Sequence, residues 1–187
     1  MILASQSPRR RELLGLITDK FTVIPASGEE KLPAGTSPAE AVKLIARAKA
    51  EEIHSHYSTE TIVAADTVVC IGGEILGKPR TVEDAFEMLL KLSGKVHSVF
   101  TGVCVIFPDG DTRWFAEETR VEFFPLSERL IADYVASGEP MDKAGAYGIQ
   151  GKGALLVKGI TGDYYNVMGL PVGRLYRVLT EKNGGPL

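Results

Sequence analysis

The chain has 187 residues, enough to bury a sizeable core in one domain, and its 21 Lys and Arg against 24 Asp and Glu give a net charge of −3 at pH 7. That balance excludes a global basic field of the kind that collects nucleic acid, so anion recognition has to be local. No stretch is long and apolar enough for a membrane span, the start lacks a basic-then-apolar leader, and Cys70 and Cys104 sit in apolar runs without partners at metal-ligand spacing, which reads as reduced thiols in a cytoplasmic protein.

In chain order, Met1-Ile2-Leu3-Ala4 predicts a strand over 1–5, and Ser7-Pro8 opens a helix over 8–16 with serine as N-cap and proline at the first helical position. Arg9, Arg10 and Arg11 then crowd the first turn, where free N–H groups and the macrodipole already concentrate positive charge. A solvated basic turn would cost only roughly a few tenths of a kcal/mol. Three arginines directly after Ser5 and Ser7 fit better with an anion, such as phosphate, bound at the helix start. After a strand at 21–25, the loop Ala26-Ser27-Gly28 carries Glu29 and Glu30, which read as solvated acids unless folding brings one to Asp66.

Ser37-Pro38-Ala39-Glu40 is a capping box for a helix over 38–54. Its apolar stripe runs through Val42, Ile45 and Ile53, with Lys49 on the same stripe, either snorkelling or pointing into an anion site. The strand at 61–71, "TIVAADTVVCI", is apolar on both sides of Asp66. An ionised carboxylate there needs a metal, a cation or a proton; Lys78 in "LGKP" is a cation close in sequence, and Mg²⁺ with bound phosphates would serve equally. Thr81 and Asp84 begin a helix over 81–93, closed by Ser93-Gly94.

Strands at 96–107 and 112–124, joined across Pro108-Asp109-Gly110-Asp111, predict an antiparallel hairpin, which argues against a purely parallel doubly wound sheet. A helix at 127–136 leads into "SGEPMDKAGAYGIQG", 137–151, whose glycines forbid a long regular element. There Gln150 could read a base edge with its donor and acceptor, and Tyr147 could pack on a base or ribose. A strand at 153–160 and a helix at 171–181 follow; Tyr164 and Tyr165 between them read as core or dimer-interface aromatics, and His54, His56 and His97 form no metal or triad pattern. The alternation of strand and helix predicts an α/β class with a mixed, partly antiparallel sheet flanked by helices.

The segments "LASQSPRRRELL", "ADTVV", "LGKP", "LSGKVHSVFTGV", "EPMDKAGAYGIQG" and "MGLP" resemble, in that order and across almost the whole chain, the Maf family of nucleoside triphosphate pyrophosphatases, most closely its bacterial dTTP/UTP branch. The resemblance implies a single Maf-like domain over 1–187 with an inosine triphosphatase-like fold, two lobes around a cleft. It further implies a homodimer and Mg²⁺- or Mn²⁺-dependent cleavage of pyrimidine nucleoside triphosphates to the monophosphate and pyrophosphate. Matching the family's catalytic and binding positions are Ser5, Arg9, Arg10, Glu30, Lys49, Asp66, Lys78 and Gln150, with Asp66 as proton acceptor; two carboxylates suit a divalent cation, so Asp66 and Glu30 are the expected metal ligands. Arg9, Thr67 and Gln150 match the positions that separate branches; relatives acting on 7-methyl-GTP resemble this pattern less, with tryptophan, "SDQ" and glutamate there. The family resemblance also implies an alternative, a regulatory nucleotide-binding protein acting in septum arrest during cell division.

Overall fold

Hydroxyl side chains start four of the helices in the computed structural model, which describes residues 1–28, 32–33 and 35–185. Ser7 caps α1 (Pro8–Gly15), Ser37 caps α2 (Pro38–His56), Thr81 caps α3 (Val82–Leu92) and Ser127 caps α4 (Glu128–Ala136). In each case the side-chain oxygen accepts from the backbone N–H three residues on, where no carbonyl of the helix can reach. The remaining helices are α5 (Tyr164–Met168) and α6 (Val172–Asn183).

The strands are β1 (Ile2–Leu3), β2 (Thr22–Val23), β3 (Ile62–Ile71), β4 (Glu74–Leu76), β5 (Val96–Ile106), β6 (Thr112–Phe123) and β7 (Val157–Thr161). The described residues form two compact units, one of 1–66, 101–117 and 169–185, the other of 67–100 and 118–168. In the first the strand order is β2-β1-β3-β5-β6, with β1 parallel to both β2 and β3. In the second it is β4-β3-β5-β6-β7, with β4 antiparallel to β3 and β7 antiparallel to β6. The sheet is therefore mixed, as expected.

β4 escapes the sequence pattern because it is only three residues long. It is set by Gly72-Gly73, both at positive φ, which close the two-residue turn that pairs Ile71 with Glu74. The strand expected at 153–160 begins later. Gly151–Leu155 instead forms a 3₁₀ turn, because the N–H groups of Lys152 and Gly153 are taken by a side chain, and the strand runs over Val157–Thr161. Tyr164 and Tyr165 are not core residues; they are 38% and 40% exposed on α5. The buried polar group of that segment is Asn166, whose amide donates to Val99 O and Thr119 Oγ1.

In the first unit, Ala46, Ala50 and Ile53 of α2 pack on Ile2, Ile62, Ala64, Cys104 and Ile106. Burial pushes the Cys104 thiol up to about 12, and both cysteines are free. Close packing of helix on sheet is permitted by Gly102 of β5, where a Cβ would stand 2.3 Å from the backbone carbonyl of Val42. The second unit is built on Val69, Leu89, Leu92, Phe123, Ile131 and Leu156, with His97, Phe123 and Tyr147 in mutual edge contact at 4.7–5.3 Å between centroids.

Gly102→Ala should destabilise the protein by about 3 kcal/mol or more, since backbone rather than a flexible side chain must give way; urea unfolding measures it, and a loss below about 0.5 kcal/mol would contradict the packing. His97 carries a pH dependence. Burial lowers it from 6.5 to about 4, and its Nδ1 has no hydrogen-bond partner to receive a second N–H. The unfolded chain therefore binds a proton that the folded chain refuses, so this contribution is complete above pH 6.5 and is lost as pH falls towards 4, by about 3 kcal/mol at most. His97→Gln, which keeps a polar partner for Tyr147, should flatten the stability profile between pH 4 and 6.5; parallel profiles would refute the assignment.

Candidate active site

In the first unit, the carboxylate in the middle of the apolar strand β3 is met by an ion-pair partner from α2. Lys49 Nζ lies 2.8 Å from Asp66 Oδ1, with the two side chains 21% and 14% exposed. The stripe position of Lys49 thus delivers its ammonium to the one place on the strand where a charge had to be offset. The cation paired with Asp66 is Lys49, from a helix that precedes the strand.

The three arginines separate. Arg10 turns inward: its Nε donates to Gly169 O at 2.8 Å, and its Nη1 to Ala65 O at 2.9 Å and to Ser5 Oγ at 3.3 Å. Ser5 is buried and also accepts from Ser7 N, so the turn into α1 is pinned by one hydroxyl. Arg10 therefore joins the strand residue next to Asp66 to the segment before α6. Arg9 is half-buried. Arg11 is exposed and lines an open groove of about 710 Å³ with Pro8, Glu12, Asp19 and Phe21.

Glu52, three residues after Lys49 on α2, fastens the loop after β2, a tie the sequence pattern does not show. Its carboxylate accepts from Ser27 N at 2.8 Å, Ser27 Oγ at 2.9 Å and Gly28 N at 2.9 Å. Those bonds, the one from Ser27 N first among them, hold its carboxyl below the usual range. The signal available was the Ser27-Gly28 pair, which offers donors but does not say to whom. Glu29 and Glu30, which follow directly, lie outside the described residues. Among the described residues, no group of three or more His, Cys, Asp or Glu side chains could hold a metal ion.

Thr67, Lys78 and Gln150 belong to the second unit. Thr67 is half-buried on β3, while Lys78 and Gln150 are exposed on loops. The turn carrying Lys78 is tied to the loop carrying Gln150, since Gly145 N donates to Gly77 O at 2.9 Å. Gly145 is left-handed, at φ +66°, and a Cβ there would meet the Val69 side chain at 2.8 Å. The expectation that Tyr147 contacts a base is overturned by its burial. It is 5% exposed, its hydroxyl lies 2.7 Å from His97 Nε2, and the ring is part of the core. Lys143 is likewise turned inward, donating to Glu139 O and to Asp142 Oδ1.

The sequence profile of the Maf-like protein family matches residues 1–182. A protein from Geobacillus sp. (strain WCH70) named dTTP/UTP pyrophosphatase is 50% identical over 177 residues, 95% of each chain. One of the same name from Thermococcus kodakarensis is 49% identical over 95% of this chain and 94% of its own. Among solved structures, a HAM1 protein from Coxiella burnetii superimposes with a TM-score of 0.52 at 18% identity, over 96% of this chain and 98% of that chain. This last likeness concerns the fold alone, and agrees with the inosine triphosphatase-like class expected from the sequence.

Arg10→Ala removes a guanidinium bonded to two carbonyls and a hydroxyl, and should cost about 2 to 4 kcal/mol in urea unfolding. Arg11→Ala should stay within about 0.5 kcal/mol of wild type. Equal effects at the two positions would contradict the separation of roles.

Proposed function

On the premise that the chain belongs to the Maf-like protein family, we propose that it is a nucleoside triphosphate pyrophosphatase that hydrolyses dTTP and UTP to the monophosphate and pyrophosphate. The observation that carries this reading is an identity of about half, over nearly the full length, with relatives bearing that name. The half-buried ion pair of Asp66 with Lys49 in the middle of β3 is the chemistry that agrees with it.

In this reading Asp66 orients the attacking water and takes its proton through Oδ2, because Oδ1 is engaged by Lys49. Lys49 keeps the carboxylate in one rotamer and, with Arg9, Arg10 and Lys78, offsets charge that builds on the phosphates as the bond between the α- and β-phosphates breaks. Ser5 orients Arg10 by accepting from its Nη1. Arg9, Thr67 and Gln150 set the pyrimidine class, Gln150 through an amide that can both donate to and accept from a base edge.

Mg²⁺ is commonly held by one or two carboxylates together with substrate phosphates, and in this reading Asp66 and Glu30 would be the carboxylates that hold it. When bound, Mg²⁺ or Mn²⁺ would neutralise phosphate oxygens and lower the pKa of a water. The same reading includes a homodimer in the cytoplasm; among the described residues no helix is long and apolar enough to cross a membrane.

The test is a panel of nucleoside triphosphates with Mg²⁺ or Mn²⁺, resolving monophosphate plus pyrophosphate from diphosphate plus phosphate. Turnover of dTTP and UTP that EDTA abolishes is expected, and a purine-only profile would overturn the assignment. Asp66→Asn should lower kcat by at least about 10²-fold with an unchanged circular dichroism spectrum. Nucleotide binding without pyrophosphate release by the wild type would favour the regulatory reading instead.

A further inference from the structure

We propose that Glu139 is a positioning residue for Gln150 and thereby for nucleotide selectivity, a proposal that rests on the pyrophosphatase reading above. Its half-buried carboxylate gathers two backbone donors that follow Gln150 and the phenol that holds the chain before it. Oε2 accepts from Lys152 N at 3.1 Å, and Oε1 accepts from Gly153 N at 3.2 Å and from the Tyr134 hydroxyl at 3.1 Å. The same Tyr134 hydroxyl accepts from Gly148 N at 3.1 Å. The chain is thus held two residues before Gln150 and two and three residues after it, by one acid and one phenol.

The surroundings are built for this grip. Burial raises the Tyr134 phenol well above its ordinary value, so its O–H stays a donor to Glu139. Lys143 Nζ donates to the backbone carbonyl of Glu139 at 2.5 Å, fixing the base of the acid. Gly151 is left-handed, at φ +62°, and a Cβ there would stand 2.9 Å from Glu139 Oε2; one at Gly153 would stand 2.0 Å from Gly148 O. Gly151 is therefore required by the closeness with which the backbone wraps the carboxylate, and Gly153 by the approach of the Gly148 carbonyl. An anionic acceptor shared among backbone N–H groups and a hydroxyl is the stronger class of hydrogen bond, which suits a loop that must present one amide side chain in a fixed place.

Glu139→Gln is close to isosteric, yet with its oxygen kept towards Tyr134 and Gly153 it puts an N–H₂ where Oε2 accepted from Lys152 N, a backbone donor that cannot accept in return. With dTTP and Mg²⁺, KM should rise about tenfold, the scale of one ordinary hydrogen bond, while kcat stays within about threefold of wild type. The preference for dTTP over dCTP and dGTP should fall with it. Tyr134→Phe keeps the ring and loses the relay to Gly148, so a smaller shift in the same direction is expected. A wild type active on dTTP with Glu139→Gln unchanged in KM and in selectivity would overturn the proposal. So would a fall in kcat alone that tracks a lowered fraction of folded protein by circular dichroism. Absence of wild-type activity on both dTTP and UTP would sink the pyrophosphatase reading itself, a result separate from either.

Discussion

A carboxylate set inside an apolar strand has to be met by a cation, and in the first unit that requirement organises everything near Asp66. Leaving such a group alone would cost several kcal/mol, far more than any exposed pair returns. The ammonium comes from Lys49, so α2 must lie flat on the sheet with one particular face inward. Small residues make that possible: Ala46 and Ala50 on the helix and Gly102 on β5, where the backbones approach so closely that even a methyl group has no room. A change in that packing would therefore reach the carboxylate without touching it.

Arg10 plays a comparable part at the neighbouring residue of the same strand. Cations at a helix start are unfavourable by the dipole alone. Arg10 compensates by leaving the helix end and donating to Ala65 O, Gly169 O and Ser5 Oγ, which would otherwise be polar groups in a buried place. The crowding of the first turn is thus resolved by direction: one arginine is inward, one half-buried and one in the open groove.

The second unit solves a different problem, how to hold a glycine-rich loop without regular structure. Its backbone donors are satisfied by side chains, with Glu139 and Tyr134 taking the N–H groups of Gly148, Lys152 and Gly153, while the aromatic trio of His97, Phe123 and Tyr147 supplies apolar contact beneath. The glycines do not make this loop loose. They let the main chain close on a carboxylate, and the result is order bought with side-chain acceptors.

Much of the scaffold was legible from residue order, because the signals are local. The Ser-Pro starts of α1 and α2, the Thr81 start of α3 and the hairpin around Gly110 each depend on contacts within a few residues, and they stand where expected. Asp66 in its apolar strand and the six motif segments also announced, from sequence alone, a charged site and a family. Tertiary structure decided which groups meet. Lys49 pairs with Asp66 across 17 residues, Arg10 reaches Gly169 across 159, and Tyr147, polar and well placed on paper, is drawn into the core by His97 and Phe123. The physical reason is that caps and turns are settled by neighbouring backbone, whereas the partner of a buried charge or ring is settled by whichever distant side chain packing leaves within about 3 Å of it.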